Sequence, residues 1–266
     1  MQLDGRIIVI TGASTGIGEA LALALARRDT RLVLAARDGA KLALVAEQCV
    51  RLGARAVAQV ADISRPADCQ ALIDRTLQEF GGLDVLVNNA GSTMWARFDA
   101  LTELSIFEQL MKVNYLGAVY LTHRALPALQ AARGLIVAVA SIAGFTGVPE
   151  RTGYAASKHA MVGFFESLRI ELKGSGVDVT IVAPDFVVSE VHKRAIGADG
   201  KALGTSPMQT SRIMTAAACA TCIVRAIEQR KRLAVLSARG RLGRWLKLIA
   251  PGLIDRIAAN AIRRRY

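Results

Sequence analysis

Tyr154 and Lys158 are four positions apart in RTGYAASKHA, residues 151–160, on a segment with helical character. Two side chains at this spacing share one face of a helix. An ammonium group beside a phenol favours the phenolate, and a phenol with a lowered pKa can exchange a proton near neutral pH. The same spacing also occurs on ordinary solvated helix surfaces, where such pairs contribute little. The pair therefore predicts acid–base chemistry only where other residues complete a site.

A glycine-rich turn, TGASTGIG at 11–18, follows the first apolar run and precedes the first helical segment. Gly12, Gly16 and Gly18 allow a tight turn and a close approach of the backbone to a pyrophosphate, whose charge the free N–H groups of the helix N-terminus would meet. A plain structural turn is the alternative. The position at a strand-to-helix junction in the first βαβ unit favours dinucleotide binding.

The end of the second apolar run, LVLAAR, bears on the choice of dinucleotide. Sites for NAD usually carry an acid here for the ribose 2′-hydroxyl, whereas this chain has Ala36 and Arg37. No carboxylate repels a 2′-phosphate, and the planar guanidinium of Arg37 can pair with one. The sequence thus predicts NADP(H) in preference to NAD(H), and a solvated surface arginine is the alternative.

Seven apolar runs of strand length alternate with helical segments. The runs are IIVIT at 7–11, LVLAA at 32–36, AVAQV at 56–60, DVLVNN at 84–89, LIVAVAS at 135–141, VDVTIVAP at 177–184 and LAVLS at 233–237. Helices are predicted near 17–28, 39–52, 66–80, 102–131, 154–173 and 211–229. Continuous hydrophobicity is typical of strands buried on both faces, and strict alternation implies right-handed βαβ crossovers. We expect an α/β fold with a Rossmann-like, doubly wound, seven-stranded parallel sheet over 1–237, followed by a basic amphipathic helical extension over 238–266.

Six motifs occur in order along the chain: TGASTGIG, ADIS at 61–64, NNAG at 88–91, Asn114 in KVNYLG, Ser141, and Tyr154-x-x-x-Lys158. Together they resemble the short-chain dehydrogenase/reductase family over residues 5–237. The resemblance implies a metal-free, NADP(H)-dependent oxidoreductase that transfers a hydride between nicotinamide and a carbonyl or secondary alcohol. An apolar substrate, lipid-like, steroid-like or acyl, is expected. The alternatives are a 3-oxoacyl thioester reductase and a catalytically idle member that acts as an NADPH sensor or scaffold.

The resemblance also assigns four catalytic residues. Tyr154 would be the general acid for reduction, and Lys158 would lower the pKa of its phenol and hold the nicotinamide ribose. Ser141, thirteen positions before Tyr154, would hydrogen-bond the substrate carbonyl; a strand-end cap is the alternative, which the spacing disfavours. Asn114 would hold a water that connects Lys158 to solvent protons, a role compatible with a buried amide bonded to backbone.

The cofactor contacts implied by the resemblance are spread over the carboxyl ends of the strands. They are Gly12, Ser14, Thr15, Gly16, Ile17, Gly18, Arg37, Asp62, Ile63, Asn89, Ala90, Gly91, Tyr154, Lys158, Pro184, Val187 and Ser189. One departure stands out, because Asp185 replaces the glycine that usually follows the proline in this family. Asp185 lacks the freedom of glycine at positive φ and adds a charge near the nicotinamide. Residues 189–212 resemble the family's substrate lid, and Trp95, Phe186, Met208 and Met214 are candidates for an apolar pocket.

The positive charge is concentrated in the C-terminal segment. Residues 230–266 hold eleven Lys and Arg against one acid, so they carry +10 of the net +12. The basic residues are interleaved with aliphatic rather than stacking aromatic residues, which argues against a nucleic-acid partner despite a pI near 10.1. Leu242, Trp245, Leu246 and Ile249 form one apolar stripe, while Arg241, Arg244 and Lys247 lie on another side. The segment is expected either to lie on an anionic membrane surface or to dock its apolar stripe on the protein's own surface or on a partner subunit.

Location and assembly are further expectations. No leader-like segment precedes the first strand, no apolar run approaches the roughly 20 residues of a spanning helix, and the four cysteines lack disulfide or metal-site spacing. We expect a cytoplasmic protein without a metal site; if the C-terminal segment lies on a membrane, the contact is with its inner face. A homodimer or homotetramer is expected from surplus apolar residues on two helices: Leu116, Val119, Leu121, Phe164, Phe165 and Leu168.

Overall fold

The computed structural model describes residues 1–206 and 213–263. Seven strands form one parallel sheet in the order β3-β2-β1-β4-β5-β6-β7, which confirms the predicted fold class. The strands are β1 Ile7–Thr11, β2 Arg31–Ala36, β3 Arg55–Val60, β4 Val85–Asn88, β5 Leu135–Val139, β6 Asp178–Ala183 and β7 Leu233–Val235. Each strand agrees with one of the apolar runs to within a few residues at either end.

Nine α-helices occur in the described ranges. They are α1 Gly16–Ala26, α2 Gly39–Arg51, α3 Pro66–Phe80, α4 Ser105–Met111, α5 Gly117–Ala131, α6 Thr152–Glu171, α7 Ala216–Glu228, α8 Ala238–Ile249 and α9 Pro251–Arg263. None of these helices combines the length and the apolar character that crossing a bilayer requires.

The central strands are buried on both faces of the sheet. In β1, Ile8 and Ile10 pack into the apolar cluster under α1 and α7, while Val9 packs into the cluster on the opposite face, with Phe165 of α6. This arrangement explains why hydrophobicity is continuous along the strand rather than alternating. The strand order reverses between β1 and β4, so a crevice opens at their carboxyl ends, where ligands bind in this class of sheet.

Two predicted helices differ from those observed. The single helix expected over 102–131 begins at Ser105 and is interrupted by a π-helical turn, Lys112–Leu116, between α4 and α5. The helix expected over 211–229 begins at Ala216, because the Thr215 hydroxyl caps it by accepting from the Ala218 N–H at 3.2 Å. Local sequence periodicity does not report such interruptions and caps.

Two of the residues expected at a subunit interface are instead in the core. Leu121 and Phe165 are fully buried within the chain, between the sheet and the helices that cover it. They cannot contact a second copy, because their surface is already used in the fold. Leu116, Val119, Phe164 and Leu168 remain partly exposed.

Candidate active site

A cavity of about 570 Å³ lies at the carboxyl ends of the central strands. It brings together almost every residue that the sequence marked as a site candidate, although these are distributed over nearly 180 positions of the chain. Gly12, Ser14, Thr15, Gly16, Ile17, Arg37, Asp62, Ile63, Asn89, Ala90, Gly91, Ser141, Tyr154, Lys158, Pro184, Val187 and Ser189 all line it. Gly18 and Asn114 lie behind its wall.

The glycine turn has the geometry that a phosphate needs. Gly12 and Gly16 have φ of 67° and 63°, a region that glycine enters without strain. A Cβ on Gly12 would lie 2.8 Å from the Cα of Ala90, so any side chain there would clash with the β4 turn. No side chain caps the N-terminus of α1, which leaves its first N–H groups for an anion. The turn therefore fits a dinucleotide pyrophosphate.

Gly18 serves packing rather than the cavity. A Cβ at this position would lie 2.6 Å from Asn89 Nδ2, so the absence of a side chain lets α1 approach the end of β4. This corresponds to the role of the third glycine in dinucleotide-binding turns.

Thr11 connects the glycine turn to β4 and was not singled out from the sequence. Its hydroxyl donates to the Val87 carbonyl at 3.2 Å and accepts from the N–H groups of Asn89 and Ala90, both at 3.0 Å. Asn89 Nδ2 donates in return to the Thr11 carbonyl at 2.8 Å. These bonds fix the two loops that face the cavity. A hydroxyl residue at the last strand position before a glycine turn is the signal that could have identified it.

Asp62 and Arg37 lie at the adenine end implied by the resemblance. Burial raises the pKa of Asp62, but hydrogen bonds from Ser64 and the positive charges of Arg37 and Arg65 outweigh this effect and hold the pKa below its ordinary value. Asp62 Oδ1 accepts from the Ser64 N–H at 3.0 Å and from the Ser64 hydroxyl at 2.7 Å. Arg37 is exposed at the rim of the cavity. Its guanidinium is therefore accessible to a ligand phosphate.

Ser141 follows β5 and forms the cap that was considered as the alternative to its catalytic role. Its hydroxyl caps a short 3₁₀ helix, Ile142–Gly144, by accepting from the Ala143 N–H at 3.1 Å. It also forms a hydrogen bond with Tyr154. Burial raises the pKa of the Tyr154 phenol, whereas this hydrogen bond and the positive charge of Arg151 oppose the rise. Capping fixes the Ser141 side chain beside the phenol, and its bond to a substrate carbonyl stays a prediction.

Lys158 is almost completely buried at 3% exposure. Its Nζ donates to the Val139 carbonyl at 2.9 Å and lies 6.0 Å from the centroid of the Tyr154 ring, on the same face of α6. Burial lowers the pKa of Lys158 to about 8. Arg151, rather than Lys158, is the cation that lowers the pKa of Tyr154 in this conformation.

The buried ammonium makes stability depend on pH. Lys158 has a folded pKa of about 8 and an ordinary value of 10.5, so the unfolded chain binds more protons between these values. The free energy of unfolding should therefore rise with pH in this window, by at most ~1.4 kcal/mol per pH unit from this group. In Lys158→Met this contribution should vanish, while Lys173→Met, at an exposed lysine, should keep it. Urea unfolding from pH 8 to 10 measures the slopes, and equal slopes in all three proteins would contradict the assignment.

Asn114 lies on the π turn and is completely buried. Its Oδ1 accepts from the Ser92 N–H at 2.7 Å, and its Nδ2 donates to the Ser92 carbonyl and the Ser157 hydroxyl, both at 2.9 Å. A Cβ on Gly91 would lie 3.2 Å from Asn114 Oδ1 and 3.7 Å from Lys158 Nζ, so Gly91 keeps the space between these groups open. The side chain of Asn114 thus fixes the loop next to Lys158.

Arg151 is a site residue that sequence reasoning missed. It precedes α6, is buried, and lines the cavity. Its guanidinium carbon lies 4.0 Å from the centroid of the Trp95 ring, 5.1 Å from that of Phe186 and 5.7 Å from that of Tyr154. A cation stacked on aromatic faces is held in place at low desolvation cost. An arginine three positions before the candidate acid was the available signal.

The four residues proposed for an apolar pocket have different fates. Phe186 lines the cavity, whereas Trp95 lies behind it under Arg151. Met214 packs against the core beneath the sheet, because it pairs with Val187 in a short bridge. Met208 lies outside the described residues, as does the 207–212 part of the segment expected to be a lid.

Asp185 does not strain its loop. Its backbone does not have a positive φ, so the freedom of glycine is not needed at this position. Its carboxylate accepts from Ser237 and Arg239 at the start of the C-terminal extension. The doubt that the sequence raised about the loop geometry is therefore removed.

The C-terminal helices form part of the cavity wall, a contribution that the sequence did not reveal. Arg239, Gly240, Gly243 and Arg244 of α8, and Ile254, Ile257 and Ala258 of α9, line the same cavity as the glycine turn. Lys247 donates to the Phe145 carbonyl at 2.8 Å, beside the Ser141 turn. The extension thus contacts the protein itself, but through basic side chains, whereas Leu242, Trp245 and Ile249 of the predicted apolar stripe stay exposed.

Comparisons with known proteins agree with this geometry. The sequence matches the family model described as short chain dehydrogenase over residues 6–198. It is 40% identical to 11-beta-hydroxysteroid dehydrogenase-like 4A of Arabidopsis thaliana over 257 residues. The aligned region covers 95% of this chain and 83% of the relative.

Two solved structures have the same fold. A short chain dehydrogenase/reductase from Burkholderia phymatum in complex with NAD superposes with a TM-score of 0.82 at 28% identity, covering 95% of this chain and 96% of the other. An alcohol dehydrogenase from the archaeon Thermococcus sibiricus, complexed with 5-hydroxy-NADP, gives a TM-score of 0.76 at 26% identity, covering 88% and 95%. The chain therefore belongs to the short-chain dehydrogenase/reductase family and is an oxidoreductase that acts on CH–OH or C=O groups.

Proposed function

We propose that the protein is an NADP(H)-dependent carbonyl reductase or alcohol dehydrogenase for an apolar, steroid-like or other lipid-like substrate. The observation that carries the proposal is the meeting of Ser141, Tyr154 and Lys158 in the same cavity that the glycine turn lines. The glycine turn would hold the pyrophosphate of a nicotinamide cofactor.

Each catalytic side chain has a defined task in this proposal. Ser141 donates a hydrogen bond to the substrate oxygen, and Tyr154 gives that oxygen its proton in the direction of reduction. Lys158 holds the ribose hydroxyls and favours the phenolate once the proton has left. The nicotinamide cofactor, when bound, supplies or accepts the hydride.

The apolar substrate class rests on the apolar residues among those that line the cavity. Ile142 and Phe145 from the body, and Ile254, Ile257 and Ala258 from α9, belong to this group. Such a surface suits a rigid apolar molecule, because contact between two apolar surfaces removes water without leaving a polar group unpaired. The name of the Arabidopsis relative, which refers to a hydroxysteroid, supports the same class.

A panel of small ketones, ketosteroids, retinoids and acyl thioesters, assayed with NADPH and NADH, tests the proposal. We expect the highest kcat/KM with ketosteroids or related polycyclic ketones. A preference for acyl thioesters would favour the 3-oxoacyl reductase alternative. NADPH binding without turnover of any member would favour the idle sensor or scaffold.

The preference for NADP(H) is supported by the exposed guanidinium of Arg37 and by the absence of an acid at Ala36. Arg37→Ala should weaken NADPH binding by about 1.5–3 kcal/mol, the range of a charge-assisted hydrogen bond, and NADH binding much less. Fluorescence titration of both cofactors measures the difference. Arg65→Ala, at another arginine that acts on Asp62, is the matched control. Equal losses for both cofactors would refute the role of Arg37.

A homodimer or homotetramer is part of the proposal. Leu116, Val119, Phe164 and Leu168 leave apolar surface on α5, α6 and the π turn beyond what the core covers. Multi-angle light scattering at micromolar protein should give twice or four times the 28.3 kDa mass of the chain. A mass of one chain under these conditions would overturn this part.

Peripheral contact with an anionic membrane is the last part. The extension places its basic residues next to the body and turns Leu242, Trp245, Leu248 and Ile249 outward. An exposed apolar helix face with a tryptophan and neighbouring cations suits a lipid interface. Such a contact would bring the cavity close to carbonyl compounds dissolved in the membrane.

A further inference from the structure

Asp185 is a charged residue in an almost closed environment. It follows Pro184 at the end of β6, on the loop that lines the cavity, and its side chain is only 9% exposed. Burying a carboxylate is costly unless its oxygens are paired. The groups that bind the Asp185 carboxylate must therefore offset the cost of burying it.

Both carboxylate oxygens have partners. Oδ1 accepts from the Phe186 N–H at 2.9 Å, within the same loop. Oδ2 accepts from the Ser237 hydroxyl at 3.0 Å and from Arg239 Nε and Nη2 at 3.0 and 2.8 Å. Three of the four bonds thus reach a segment more than fifty positions away, at the start of α8. Charge-assisted bonds of this kind are among the strongest that a side chain makes.

The same end of α8 is fixed to the Ser141 turn. The Ser237 hydroxyl also caps α8 by accepting from the Gly240 N–H at 2.9 Å. A Cβ on Gly240 would lie 2.8 Å from Ile142 Cγ2, so the helix touches the residue that follows Ser141. One turn further, the Arg244 guanidinium carbon lies 5.4 Å from the centroid of the Phe145 ring. The first two turns of α8 are therefore attached to the loop that carries Ser141 and to the loop after β6, which carries the cofactor candidates Pro184 and Val187.

α9 has no such attachment of its own. Among the described side chains and backbone groups, its residues form no hydrogen bond or ion pair with the part of the chain before α8. Nevertheless Ile254, Ile257 and Ala258 line the cavity. In the described part of the chain, the polar attachments of the hairpin to the body are therefore made by Ser237 and α8, through Asp185, Phe145 and Val235.

We propose that Asp185 is a positioning residue that determines substrate specificity, because its bonds to Ser237 and Arg239 hold the α8–α9 hairpin in place as the outer wall of the substrate pocket. The identity of the substrate rests on the proposed function, whereas the attachment of the α8–α9 hairpin to Asp185 does not depend on it. The hairpin contacts bulky apolar substrates through α9, whereas a small ketone bound at Ser141 and Tyr154 does not reach that wall. Loss of the attachment should therefore affect large substrates selectively.

The test is a double-mutant cycle in the full chain with Asp185→Asn, Arg239→Gln and the combination. Hydrogen exchange of residues 238–258, measured by mass spectrometry without substrate, should accelerate at least about tenfold in each single variant, the scale of one lost charge-assisted bond. Hydrogen exchange in the double variant should be no faster than in the single variant with the larger effect, because both changes break the same attachment. Arg256→Gln removes an equal charge from an exposed position of α9 and should leave exchange unchanged.

The second readout is the ratio of kcat/KM for a ketosteroid to that for a small ketone. It should fall about tenfold in Asp185→Asn and in Arg239→Gln, following the loss of one charge-assisted bond, and remain native in Arg256→Gln. Unchanged exchange in both single variants would overturn the attachment. Faster exchange with an unchanged ratio would overturn the specificity role. If no ketone is turned over by the native chain, the proposed function fails, and the exchange data alone decide whether Asp185 holds the hairpin.

Discussion

Tyr154→Phe is expected to lower kcat by about 10²–10⁴-fold, the range that a positioned proton donor contributes. Phenylalanine keeps the ring but removes the hydroxyl that hydrogen-bonds with Ser141 and would protonate the substrate oxygen. NADPH affinity should change little, because the proton matters mainly in the transition state. Steady-state oxidation of NADPH gives kcat, and fluorescence titration gives the dissociation constant of the cofactor.

Tyr120→Phe provides a matched control. Tyr120 lies on α5, packs against the core and does not line the cavity, so loss of its hydroxyl should leave kcat at the native value. Native turnover by Tyr154→Phe would exclude the acid role. A loss confined to NADPH affinity would instead make the phenol a cofactor contact.

The second large effect concerns membrane binding. The native chain should sediment with vesicles that contain anionic phosphatidylserine and remain free with neutral phosphatidylcholine vesicles. Each basic residue near an anionic surface contributes about 1 kcal/mol, but Arg241, Arg244 and Lys247 contact the body, so the charge contribution is smaller than the +10 of the segment would imply. The outward apolar face adds to this, since Leu248 and Ile249 are 74% and 83% exposed. Arg239 is not counted, because Asp185 already neutralises it.

Two altered proteins locate the contact. A chain that ends at Ser237 should lose binding to anionic vesicles, and so should the full-length double substitution Trp245→Glu, Ile249→Glu. Leu44→Glu, at an equally exposed apolar position of α2, should bind like the native chain. High salt should weaken the native binding, because the charges are screened. Equal sedimentation of all four proteins, or of none, would show that the extension is not a membrane element.

The sheet and much of the candidate site can be predicted from local features of the chain. Continuous apolar runs such as IIVIT predict strands buried on both faces, and their alternation with helical segments leaves few topologies open. The glycine turn and the Tyr154–Lys158 spacing are local features, so the residues that lie next to each other in the sequence also lie next to each other in the fold. The resemblance to the family then supplied the distant Asn114 and Ser141.

Other features depend on contacts between distant parts of the chain and are visible only in the folded protein. The Thr11 bonds to Asn89 and Ala90, and the pairing of Asp185 with Arg239, join residues more than fifty positions apart, whose approach depends on the closure of long loops rather than on local propensity. Burial likewise is decided by packing: Leu121 and Phe165 fit an interface pattern but fill the core. The periodicity of the extension predicted an amphipathic helix. It did not predict which face of the helix would cover the cavity, because the helix is held there by contacts with distant residues, among them the Asp185 carboxylate at the end of β6.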